Sequence, residues 1–233
     1  ALIRAVAAAN PRTVVVLMGG GAVLMEEWRR AVPAILLLWY PGEQGGHALA
    51  DVLLGRVSPS GRLPFSLPEG AGQLPPFEPR ALEVTYDLWH GYRRLGRAGE
   101  RAAYPFGFGL SYSRFDLADP GAALDGEAVE VAVTLLNRGP MAAAEVVQVY
   151  LEPPGRRLPR PPRTLLGFQR QELAAGERRR LRLRIPLRRL ACFDEARDGF
   201  LLEPGEHRLA LARHVEDPGL VVTLALQERW LGP

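Results

Sequence analysis

Two carboxylates that face one substrate can work as a general acid and a base or nucleophile, so the acids are the first residues to weigh. Glu26 and Glu27 are adjacent. On a helix such neighbours point about 100° apart and cannot share one substrate. Glu83 and Asp87 lie in a stretch without clear periodicity, and nothing in the sequence brings them together. Glu43 is the only charge in the loop Pro41-Gly42-Glu43-Gln44-Gly45-Gly46. This loop follows an apolar run, where open α/β sheets place their ligands. One role for Glu43 is acid, base or hydroxyl ligand. The favoured role is a carboxylate at a helix N-terminus, where the dipole stabilises it by about 0.3–1 kcal/mol.

Other chemistries fare no better. His47, His90, His207 and His214 show no metal-ligand spacing, and Cys192 has no cysteine partner. No serine sits in G-x-S-x-G. Gly19-Gly20-Gly21 starts a dinucleotide fingerprint, but Leu24 occupies the third glycine position. The chain contains no lysine, which excludes a P-loop. Glu177 to Arg189 is basic, yet Arg180, Arg182 and Arg184 alternate with Leu181, Leu183 and Ile185. That is the solvated face of a half-buried strand rather than a nucleic-acid patch. Trp89, Tyr92 and Phe106 could stack on sugars, but aromatics in a connecting segment more often staple domains together.

The elements that would position these residues fall into two styles. Thr13 to Leu17 and Ala34 to Tyr40 are continuous apolar runs that suit strands buried on both faces. A helix is expected around Glu26 to Arg30 and another over His47 to Leu54, capped by Gly55. Arg62 to Leu67 reads as a third strand. Three strands and two helices cannot cover both faces of a parallel sheet, so residues 1–67 are expected to be the last piece of a larger α/β domain. Residues 68–103 read as a long linker, functional or packed along a partner domain. From Tyr104 to residue 233 the pattern becomes short strands and turns. Strands are expected near Val129–Leu136, Glu145–Leu151, Thr164–Phe168, Arg178–Ile185, His207–Ala212 and Leu220–Leu226. That is the pattern of an immunoglobulin-like β-sandwich without long helices. The expected fold class is α/β plus all-β.

Composition agrees with a folded chain of this kind. The 233 residues are 47% hydrophobic and 24% charged, close to globular averages. The 25 glycines and 21 prolines imply many turns. The 29 basic and 26 acidic residues nearly balance, unlike the clustered excess of a nucleic-acid binder. No apolar run is long enough for a membrane helix, and residues 1–9 lack the pattern of a signal peptide. One cysteine permits no intrachain disulfide and assigns no compartment.

Several segments resemble the C-terminal part of glycoside hydrolase family 3, the β-glucosidase and β-xylosidase family. They are ALIRAVAAANPRTVVVL from Ala1, WYPGEQGG from Trp39, HALADVLLG from His47, SPSGRLPFSL from Ser58 and YPFGFGLSYSRF from Tyr104. Asn137-Arg138-Gly139, Glu145 to Tyr150, RPPRTLLGF from Arg160 and Pro204-Gly205-Glu206 resemble its fibronectin type III-like domain. The chain departs from the family at His47, where asparagine is usual. It departs again over Asp87 to Arg93, which replaces a commoner glutamate-glycine version. The resemblance implies a retaining β-glycosidase acting on terminal non-reducing β-D-glycosyl residues of β-linked oligosaccharides or aryl glycosides. It places the nucleophile in an upstream barrel domain and the acid/base upstream of Ala1 to Leu17. The chain is therefore expected to be structural and inactive alone, with the barrel as its partner. No catalytic residue, metal ligand or cofactor is assigned here, substrate-binding residues stay unassigned, and neither nucleic acid nor membrane is expected as a partner. The competing expectation is a free-standing β-sandwich that binds carbohydrate or protein.

Overall fold

The computed structural model describes residues 1–155 and 157–232. It has an α/β segment followed by a β-sandwich. Helix α1 (Leu2–Ala9) leads to strand β1 (Val14–Leu17), which pairs in parallel with β2 (Ala34–Leu37), Val14 opposite Ala34 and Leu17 opposite Leu37. The helix expected around Glu26 to Arg30 is a tight turn and a 3-10 turn, Arg29–Ala31. Pro33 accounts for this, because the residue before a proline is pushed out of helical backbone; Val32 has φ −121° and ψ 138°. Helix α2 (Gly45–Leu53) starts before His47, because Gly45 lets the Pro41 ring sit where a Cβ would be, 2.5 Å away. Gly55 ends it with φ 70°, as a C-terminal glycine should.

The expected strand over 62–67 finds no parallel neighbour. Pro64 offers no amide hydrogen to a ladder, and the backbone of this stretch turns to residues 104–108 instead. Leu63 N donates to Phe108 O at 2.9 Å, Gly107 N to Leu63 O at 2.8 Å, and Leu67 N to Tyr104 O at 2.8 Å. Within the linker a short helix, α3 (Tyr92–Ala98), stands between Gly91 and Gly99, both with positive φ. Its mid-helix Gly96 lies under Pro162, whose Cγ would be 3.0 Å from a Cβ.

The sandwich comprises β3 (Phe115–Asp125), β4 (Ala128–Asn137), β5 (Ala143–Glu152), β6 (Thr164–Leu173), β7 (Arg178–Pro186), β8 (Cys192–Asp194), β9 (Gly199–Leu202), β10 (Gly205–Ala212), β11 (Leu220–Leu226) and β12 (Arg229–Leu231). One sheet runs β3-β4-β7 and the facing sheet β11-β10-β5-β6, with β12-β9-β8 as a small third sheet. The inward side chains of β4, β5, β7 and β10 interdigitate: Val129, Val131, Val133 and Leu135 meet Val147, Val149, Leu209 and Leu211, with Leu181 and Ile185. Strand β3 bulges between Ala118 and Gly121, where Asp119 has φ 50°.

The burial is lopsided. That main core draws only on residues from Phe115 onward. Among the described residues before it, the buried apolar side chains are Met25, Val32, Leu67, Leu95 and Ala102, with Pro68 and Pro105. Leu2, Met18, Tyr40, Leu54, Phe77 and Leu82 lie open to solvent, each forgoing about 1.5–3 kcal/mol of burial. What holds the α/β segment is its seam with the sandwich. Arg62 and Glu145 form an ion pair with side chains 8% and 5% exposed. Gln148 Nε2 donates to Gly107 O at 3.0 Å, and Tyr112 Oη donates to Val52 O at 2.9 Å. No helix among the described residues is long and apolar enough to cross a membrane.

Candidate functional site

The carboxyl edge of the parallel pair is where the exits of β1 and β2 run side by side. Leu38 N donates to Leu17 O at 2.9 Å and Gly19 N to Trp39 O at 3.2 Å. Trp39 has φ 55°, a left-handed conformation that costs a non-glycine residue about 1–3 kcal/mol. Its ring meets Phe65 edge-on, with centroids 5.4 Å apart. Tyr40 then folds over Gly20, where a Cβ would lie 2.8 Å from the ring. The middle glycine of the cluster thus admits an aromatic ring. Gly42 (φ 67°) turns the chain toward α2 and leaves Glu43 exposed.

Glu43 has no hydrogen-bond or ion-pair partner among the described residues, and it sits just before the cap residue Gln44. His47 Nδ1 lies 3.1 Å from Gln44 Oε1. One solvated carboxylate beside an aromatic-walled edge can hydrogen-bond a hydroxyl. Displacement at an acetal carbon needs a second acid across the bond, and none among the described residues is hydrogen-bonded or ion-paired to this edge. Glu26 approaches Gly70, where its Oε2 would stand 3.2 Å from a Cβ. Glu27 serves through its backbone carbonyl, which accepts Arg4 Nε at 2.6 Å. Asp87 Oδ1 accepts Trp89 N at 2.8 Å, and Glu83 is exposed with no such bond.

The histidines are scattered. His47 stands on α2 and His90 at the turn before α3, where its Nδ1 is 2.5 Å from Asp87 O. His207 is fully buried on β10, and burial pushes its imidazole below the ordinary value. His214 follows β10, against the Phe108 ring at 5.7 Å between centroids, and burial lowers it too. Burial likewise raises the Cys192 thiol, the opposite of what a reactive thiolate needs. Among the described residues no group of three or more His, Cys, Asp or Glu could hold a metal ion. The arginines of β7 are engaged across the sheet: Arg178 with Asp119 at 2.8 Å, Arg182 with Glu130 at 2.5 Å, and Arg184 with Asp125.

Two of the three linker aromatics staple the seam. Tyr92 stacks on Phe106 at 4.7 Å, its hydroxyl accepts Leu165 N at 3.3 Å, and Phe106 packs on Tyr150, Ala210 and Ala212. Trp89 instead faces a cleft of about 510 Å³ that Arg94 and Arg97 also line. These two arginines were not singled out by the sequence reading, because α3 was not seen and no periodicity marked one side of it.

Two family models match the chain: the glycosyl hydrolase family 3 C-terminal domain over residues 1–112 and the fibronectin type III-like domain over residues 145–215. Beta-glucosidase B of Emericella nidulans is 39% identical over 93% of this chain, which spans 28% of that enzyme. An exo-alpha-(1->6)-L-arabinopyranosidase of Bifidobacterium longum is 35% identical over 97% of the chain, 31% of its own length. The structure of beta-glucosidase 3B from Thermotoga neapolitana in complex with alpha-D-glucose matches all of this chain with TM-score 0.93 and 34% identity, over 34% of that protein. The chain thus spans about a third or less of the relatives it matches.

Proposed function

The chain belongs to glycosyl hydrolase family 3, and from that membership we propose that it forms the scaffolding C-terminal part of a β-glycosidase whose reacting carboxylates lie outside it. The parent enzyme hydrolyses terminal non-reducing β-D-glycosyl residues of β-linked oligosaccharides or aryl glycosides, by the retaining two-carboxylate route. In this reading residues 1–67 complete the α/β domain, 68–103 run along its interface and 104–233 form the sandwich. The strip 104–108 is clasped to 63–67.

The observation that carries this reading is the uncovered α/β segment. A two-stranded parallel sheet with Leu2, Met18, Tyr40 and Leu54 in solvent is half of a layered structure, because parallel sheets are stable with both faces covered. The partner that covers it is the barrel and remaining α/β part of the same enzyme. Tyr40 and Glu43 then sit at the edge where that partner brings its sugar. The relatives named as β-glucosidases support the substrate class.

Purified chain incubated with aryl β-glucosides and β-xylosides tests the assignment. The expected result is hydrolysis no faster than buffer. Turnover that disappears in Glu43→Gln or Asp87→Asn would overturn it and locate the chemistry in this chain.

A further inference from the structure

The cleft in the linker has the make-up of a ligand site. It is lined by Pro75 and Pro76, by the turn bearing Tyr86, Asp87, Trp89 and His90, and by Arg94 and Arg97 of α3, and encloses about 510 Å³. That volume falls within the roughly 300–1,000 Å³ range of small-molecule sites. Arg97 lies over the Trp89 ring, 4.4 Å from its centroid. Arg94 is half-buried, and its guanidinium has no partner among the described residues. Other arginines withdrawn from water are engaged: Arg29 with Glu69, Arg62 with Glu145, Arg160 with Glu203 and Arg163 with Glu152, while Arg93 lies over the Tyr92 ring at 5.9 Å. A guanidinium partly withdrawn from water without a counter-ion is costly, and this one faces a cavity.

The other groups restrict what the anion can be. Asp87 Oδ1 is taken by Trp89 N at 2.8 Å, which leaves Oδ2 to accept a hydroxyl. His90 is held through Nδ1, 2.5 Å from Asp87 O, which leaves Nε2. Tyr86 is 59% exposed, and its ring offers an apolar platform. Two arginines against one aspartate suit a single negative charge better than a phosphate dianion. Hydroxyl partners and an aromatic face suit a pyranose.

We propose that this cleft binds a uronic acid residue, with its carboxylate on Arg94, its hydroxyls on Asp87 and His90, and its ring against Tyr86. The proposal concerns binding alone, and it rests on the reading above only in that the interface along 68–103 leaves this cleft open.

Calorimetric titration of the full chain with methyl β-glucuronide, methyl β-glucoside and inorganic phosphate tests it. Glucuronide binding in the millimolar range is expected, about tenfold tighter than glucoside, as one charge-assisted hydrogen-bonded pair supplies. Phosphate should bind more weakly than glucuronide. Arg94→Gln and Tyr86→Ala should each weaken glucuronide about tenfold without moving the melting temperature. Tyr86→Ala alters an exposed ring and decides the matter if Arg94→Gln fails to fold. Absent glucuronide binding, equal affinity for glucoside or phosphate, or unchanged affinity in the folded variants would each overturn the proposal.

Discussion

Gly107 and Gly109 give the Tyr104 to Phe115 motif its physical meaning. Gly107 has φ 83°, and a Cβ there would lie 2.1 Å from Gln148 Oε1; at Gly109 it would lie 2.3 Å from Gly61 O. Both glycines let one backbone press against the seam. Gly107→Ala should therefore cost at least ~1–3 kcal/mol in a denaturant titration, from left-handed backbone strain alone. Asn137 works differently. It is fully buried, accepts from Ser113 Oγ at 2.6 Å and Gly139 N at 3.0 Å, and donates to Met141 O at 2.8 Å and Leu173 O at 3.1 Å. The sequence marks this site as a turn but carries no sign that the side chain ties three loops together. His207 makes a third case. Burial holds its imidazole below the ordinary value, so the unfolded chain binds the extra proton first. Stability should then fall as pH drops below about 6.5, the unfolded histidine value. His207→Gln should flatten that part of the pH–melting curve; an unchanged slope would remove His207 from the account.

At the scale of elements, legibility followed pattern length. Strands β4, β5, β7 and β10 announce themselves because runs of eight to ten residues rich in valine and leucine lie between turn residues, and in β7 buried Leu181, Leu183 and Ile185 alternate with exposed arginines. Strand β3 hides because Asp119-Pro120-Gly121 reads as a turn, and the chain absorbs it as a bulge. Strands β8, β9 and β12 hide because three or four residues carry no period. Helices α1 and α3, of eight and seven residues, are set by their surroundings rather than by propensity. The candidate edge at Trp39 to Glu43 was legible as a loop after a strand; the cleft was not, since it exists only once α3 folds back on Tyr86 to His90. Protection against hydrogen exchange should rank accordingly. Amides of β4, β5, β7 and β10 are expected to exchange slowest, and those of β1 and β2 orders of magnitude faster. Equal protection in both groups would contradict the absence of a core in the α/β segment.

For the whole molecule the two halves depend on each other unequally. The sandwich carries its own core, while the α/β segment leans on the seam around Arg62 and Glu145. With Glu145 4% exposed, Glu145→Ala leaves a buried guanidinium uncompensated, and a loss of about 3–5 kcal/mol is expected in unfolding of the full chain. The uncovered faces of β1, β2 and α1 are what the proposed role rests on, in which this chain completes a glycosidase whose chemistry is supplied from elsewhere. The most direct measurement is aryl β-glucoside hydrolysis by a chimera, in which this chain replaces the matching third of the Thermotoga neapolitana enzyme, beside the chain alone. The account predicts turnover by the chimera and none by the chain. Turnover by the chain alone, or a folded chimera that is silent, would contradict it.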